Sequence, residues 1–109
     1  MLNKLFGSRS AEWVLYYMLA YNKGYATGIS TIFGVSLNAI QKQLIKFEEA
    51  GIFVSFLEGR TRIFTWNPRY PFLSELLALL QKAFQYLPEA EKSKYFKGRT
   101  RPRRTGKPS

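Results

Sequence analysis

The stretch that decides the fold is Thr27-Gly28-Ile29-Ser30-Thr31-Ile32-Phe33-Gly34-Val35-Ser36-Leu37-Asn38-Ala39-Ile40-Gln41-Lys42-Gln43-Leu44-Ile45-Lys46-Phe47-Glu48-Glu49-Ala50-Gly51. Ser36 is placed to cap a helix from Leu37 to Ala50, and Gly51 to end it. Within that helix Ile40, Leu44 and Phe47 recur at spacings of four and three, which gathers them on one face. Asn38, Gln41, Lys42, Ile45, Lys46 and Glu49 fall on the opposite face. Upstream, Thr27 can cap a short helix from Gly28 to Phe33, and Gly34-Val35 turns the chain between the two. Gly28 weakens the first turn of that short helix. Two helices joined by a turn of about three residues containing glycine form the helix-turn-helix signature.

Downstream, Ile52 to Leu57 is rich in β-branched and aromatic residues and reads as a strand. Glu58-Gly59 marks a tight turn, and Arg60 to Trp66 reads as the returning strand of a hairpin. Asn67-Pro68 breaks it. From Pro71 to Leu87, Phe72, Leu73, Leu76, Leu77, Leu80, Phe84 and Leu87 recur at helical spacing. Pro88 ends that helix, and Glu89 to Phe96 suits a further short one. Upstream of the motif, Ser8-Arg9-Ser10 opens a helix over Ala11 to Tyr21. Gly24 suits the left-handed position that closes it, and Tyr25-Ala26 is a short extended piece. Beyond Glu12 this first long helix has almost no polar face. An all-round apolar helix must be buried on every side, which a small domain rarely achieves alone, so a partner chain is expected.

The chain has 109 residues and a formal charge of +10, with 46% hydrophobic and 17% aromatic residues. Length and apolar content suit one domain with a real core. Cysteine, histidine and aspartate are absent, and the seven acids are all glutamate. That excludes thiolate chemistry, disulfides, a Cys/His zinc cage and a Ser-His-Asp relay. The glutamates are scattered, so no metal or other cofactor is expected, and no enzyme. The longest apolar run, Trp13 to Tyr21, is far short of the roughly 20 residues of a spanning helix, and the first residues lack a secretory leader pattern. A cytoplasmic, nucleoid-associated protein without membrane contact is expected.

The charge is unevenly placed. Up to residue 91, nine Lys and Arg face seven Glu; from Lys92 onward there are eight cations and no acid. The domain is therefore read as residues 1–87, with 88–109 a basic extension. Past Lys97 no large apolar residue remains, and disorder is expected from about there. Its cations Lys97, Arg99, Arg101, Arg103, Arg104 and Lys107 imply a polyanion, nucleic acid first.

At this point the sequence resembles a known group. The residues that carry the likeness are Leu5-Phe6-Gly7-Ser8, the run from Ile29 to Ser36, Ala39 to Leu44, Phe47-Glu48-Glu49-Ala50-Gly51-Ile52, Glu58-Gly59-Arg60-Thr61-Arg62 and Trp66-Asn67-Pro68. Over about residues 5–87 these are similar to the ArsR-like winged helix-turn-helix regulators of prokaryotes. The implied fold is α+β, mostly α: helix, short strand, helix, turn, helix, β-hairpin wing and C-terminal helix. The implied function is sequence-specific binding of double-stranded DNA by a homodimer, with the helix over 37–50 in the major groove. This chain lacks the Cys, His and Asp ligands of metal-sensing members.

The residues agree with that implication. Asn38 and Gln41 suit adenine edges and Lys42 suits guanine. Thr31, Ser36 and Lys46 are expected on phosphates, and Arg60 and Arg62 of the wing (residues 57–62) on the backbone or minor groove. The dimer interface is expected at Trp13, Tyr16, Tyr17, Leu76, Leu80 and Phe84. Trp13, Tyr16, Tyr17 and Tyr21 could instead line a pocket for a small ligand, though such aromatics more often pack a core. The competing functions are a winged-helix adaptor that holds a protein partner and, behind it, an RNA or single-strand binder.

Overall fold

The computed structural model describes residues 2–100, with side chains as far as Phe96. In chain order the elements are α1 Asn3–Phe6, α2 Arg9–Tyr21, β1 Lys23–Gly24, α3 Ala26–Phe33, α4 Leu37–Glu49, β2 Phe53–Glu58, β3 Thr61–Trp66, α5 Leu73–Gln85 and α6 Glu89–Thr100. The arrangement is the expected α+β, mostly helical one. Its antiparallel sheet has the order β1–β3–β2.

Serine caps set two helix starts as expected. Ser8 Oγ accepts from the Ala11 amide at 3.0 Å, and Ser36 Oγ from the Ala39 amide at 3.1 Å. Between α3 and α4 the chain turns through Gly34 at φ 66° and ψ 30°. That left-handed geometry favours glycine. Ser30 locks the turn: its carbonyl accepts from the Gly34 amide at 2.9 Å, and its hydroxyl donates to the Val35 carbonyl at 2.6 Å.

Three local expectations are corrected. The left-handed residue after α2 is Asn22 (φ 69°), not Gly24. Gly24 instead pairs with Phe64 in β1, and a Cβ there would lie 2.6 Å from Tyr17 Cε1. Thr27 does not cap α3. The chain is extended through Tyr25 and the helix starts at Ala26. In the hairpin, Glu58 pairs with Thr61, so the two turn residues are Gly59 and Arg60, one position later than read.

The largest correction concerns α2. Its apolar girdle is absorbed within the chain, by packing against α1, α4, α5, α6 and β1. Val14, Leu15, Tyr16 and Met18 are completely buried. Trp13 stacks on Phe33 (4.7 Å between ring centroids) and meets Tyr95 at 5.0 Å, while Tyr16 meets Phe84 edge-on at 5.9 Å. Trp13, Tyr16 and Leu80 are thus core residues, not an open dimer face. Tyr17 meets Tyr21 at 4.6 Å and Phe33 at 6.3 Å, so these aromatics pack against rings of the same chain.

The domain also extends beyond residue 87. Phe96 of α6 is fully buried, with Phe84 at 5.0 Å and Phe33 at 5.9 Å. The Tyr21 hydroxyl donates to the Tyr95 carbonyl at 3.3 Å. Helix α6 therefore completes the core rather than starting an extension. The backbone kinks at Phe96 (φ −125°, ψ 22°) and is described to Thr100, within the segment where disorder is expected from about 97. The remainder of that expectation concerns residues 101–109, outside the described part.

The sheet is tied to this core at one corner. Trp66 Nε1 donates to the Met18 carbonyl at 3.1 Å, and Asn67 Nδ2 to the Gly51 carbonyl at 2.8 Å. These bonds orient the hairpin relative to α2 and the end of α4.

Two measurements check this packing. Gly24→Ala forces a methyl against the Tyr17 ring and should lower unfolding free energy by about 1–3 kcal/mol in urea melts. Burial, and after it the Glu12 carboxylate, pushes the Tyr16 hydroxyl up to about 12. In the unfolded chain the same group titrates near 10, so between roughly pH 10 and 12 the unfolded state holds fewer protons and stability falls as pH rises. Thermal melts across that window should show a loss of roughly 2–3 kcal/mol from Tyr16 that Tyr16→Phe removes, leaving the fall due to Tyr17, whose hydroxyl is also pushed up by burial.

Candidate nucleic-acid interface

Ile40, Leu44 and Phe47 anchor α4 inward, all buried. That burial fixes what the helix shows outside: Asn38, Gln41 and Lys42 are exposed, together with Leu37 and Ile45. The hairpin rises beside this face. Between them lies an open groove of about 680 Å³, lined on one side by Gln41, Leu44 and Ile45 and on the other by Arg60, Thr61, Arg62 and Phe64. Tyr25, Ala26 and Thr27 close its end. The described lining holds two arginines and no acid.

The wing arginines are held differently. Arg60 sits at the turn and is exposed. Arg62 Nη1 donates to Ser55 Oγ at 3.0 Å, and Ser55 donates in turn to the Glu48 carboxylate. This relay runs from β3 through β2 to the last turn of α4. It gives Glu48 a structural partner and fixes the Arg62 guanidinium at the groove wall.

Other expected site residues are placed elsewhere or already engaged. Lys46 Nζ donates to the Phe6 carbonyl at 2.8 Å and lies 5.0 Å over the Phe47 ring, so it secures the end of α1. The Thr31 hydroxyl donates to the Thr27 carbonyl at 2.9 Å, inside its own helix. Ser36 accepts the Ala39 amide as cap and stays exposed. Lys92 donates to the Gln85 carbonyl at 3.3 Å and to Glu89 at 3.2 Å, so it serves the end of α5. The side chains of Lys97 and Arg99 are not described, and Arg101, Arg103, Arg104 and Lys107 lie outside the described residues.

Sequence reading missed Tyr25. It is 43% exposed at the end of the groove, and its ring lies over Gly28, where a Cβ would come within 3.0 Å of Cζ. A glycine three residues after an aromatic at a helix start was the available signal. Away from the groove lining, Phe72, Leu79 and Tyr86 are exposed at intervals of seven along α5 and its two ends, with Leu76 and Phe84 half-buried beside them. The described residues contain no cluster of three potential metal ligands, and no described helix is long and apolar enough to cross a membrane.

No family model matches the chain, and no curated protein matches it. Solved structures do. YusO of Bacillus subtilis is 14% identical with a TM-score of 0.57, covering 81% of this chain and 69% of that one. The adhesin competence repressor AdcR of Streptococcus pyogenes is 16% identical with a TM-score of 0.51, covering 77% and 70%. ZitR of Lactococcus lactis, a double mutant in its apo form, is 18% identical with a TM-score of 0.50, covering 78% and 73%. At these identities the likeness is one of fold, and it does not extend to the ArsR-like grouping. The chain has the winged helix-turn-helix fold: α3, the Gly34 turn and α4 form the motif, and β2–β3 the wing.

Proposed function

We propose that the protein is a transcription regulator that binds double-stranded DNA. The observation that carries this reading is the acid-free groove between the outward face of α4 and the two wing arginines. Helix α4 enters the major groove, where Asn38 and Gln41 pair with adenine edges and Lys42 with guanine. Arg60 and Arg62 meet phosphates or the minor groove, and Ser36 and Tyr25 donate hydroxyls to the backbone. Lys46 and Thr31 are left out because their donors already serve the fold. The basic residues beyond Thr100 add sequence-independent attraction. That AdcR is named a repressor supports the reading.

The regulator acts as a homodimer in the cytoplasm. Its contact is the α5 row Phe72, Leu79 and Tyr86, since Trp13, Tyr16 and Leu80 are buried in the core. Two copies then present α4 to half-sites about 34–36 Å apart. The adaptor reading has one observation in its favour: Val54 and Phe56 are exposed on the outer face of the wing.

Selection from a random duplex pool at about 0.15 M salt, where weak electrostatic binding is limited, should yield a two-fold related site. Gln41→Ala with Lys42→Ala should flatten base preference at the corresponding positions by about 1–3 kcal/mol. Arg60→Ala should weaken all sequences alike and reduce the salt slope by about one. Ending the chain after Thr100 should act in the same even way, whereas ending it after Tyr95 would take Phe96 from the core. Recovery of no preferred sequence, with a protein complex stable in high salt, would support the adaptor instead.

A further inference from the structure

The outward face of α4 carries more than polar groups. Leu37 is 41% exposed and Ile45 is 50% exposed, and Gln41 lies between them. The three are spaced by four residues and form one ridge along the helix. Four residues advance about 6 Å along the axis, close to two base-pair steps of about 3.4 Å. Single exposed aliphatics are ordinary on protein surfaces, but these two share one ridge with Gln41, and Ile45 lines the groove beside it. A contact here must also suit Arg60 and Arg62, which share the groove with Ile45. An apolar protein surface would leave those charges without counterparts, while DNA supplies phosphates for them.

Within the major groove the apolar group on offer is the C5-methyl of thymine. RNA offers neither that methyl nor a major groove open to side chains. We propose that Leu37 and Ile45 read thymine methyl groups on either side of an adenine held by Gln41. The substrate class is therefore an A·T-rich half-site, with thymines about two base pairs to each side of the contacted adenine, on either strand. This rests on the reading that α4 enters the major groove. It adds a sequence class that amide and ammonium groups alone do not fix.

Replacing single thymines by deoxyuridine in the selected duplex removes only the methyl and leaves every hydrogen bond. Fluorescence anisotropy at about 0.15 M salt should find two positions per half-site where this lowers affinity about three- to ten-fold. Ile45→Ala should abolish the thymine–uracil difference at one of them and Leu37→Ala at the other. Both variants should keep the salt dependence, and circular dichroism should confirm that the exposed substitutions leave the fold intact. Equal affinity of the native chain for thymine and uracil duplexes would overturn the inference while leaving DNA recognition standing. So would an unchanged methyl preference in both variants. Failure to bind any duplex would overturn the proposed function and this inference with it.

Discussion

The arrangement depends on the turn at Gly34. A left-handed residue there, with both polar groups of Ser30 closing the loop around it, sets how α4 leaves α3. Once that angle is fixed, Ile40, Leu44 and Phe47 have one place to go, against the core and the start of β2. Everything presented outward follows, because a helix with one ridge buried has no choice about the opposite ridge. A side chain at Gly34 would meet no neighbour. The constraint is thus one of backbone conformation alone, and its effect on function is transmitted by packing.

Around that turn the fold spends its polar side chains in two ways. Several cations are structural: Lys46 on α1, Lys92 on α5, and Arg9, which lies 4.6 Å over Trp13 and 3.7 Å from Glu91. Those directed to the groove are fewer, and Arg62 is prepared for it by Ser55 and Glu48. Pre-positioning a guanidinium reduces the entropy lost when it meets a phosphate. Among the described cations, Lys46, Lys92 and Arg9 therefore serve the fold rather than the groove.

Much of this was legible in the sequence. The spacing of Ile40, Leu44 and Phe47 identified the buried ridge, Ser8 and Ser36 the helix starts, and the Gly59 region the hairpin. What was not legible is non-local. The roles of Gly24 and Lys46 depend on Tyr17 and Phe6, which no short window contains. The all-round apolar α2 points to a second chain only while α6 is left out of the core; with Phe96 buried there, the same chain covers it. Tyr95 and Phe96 sit among charged residues with little periodicity, so the burial of Phe96 and the packing of half-buried Tyr95 cannot be read from α6 itself. The exposed residues of α5 emerged only after the core had claimed Leu80 and Ala83.

The central claim is that the face of α4 opposite its buried ridge, with the wing beside it, receives duplex DNA. Backbone amide chemical-shift mapping with a selected duplex tests it most directly. The account predicts that the largest changes cluster at residues 36–45 and 59–62, with α2 little affected. Changes confined to α5 and α6, with those two segments unmoved at saturating DNA, would contradict it.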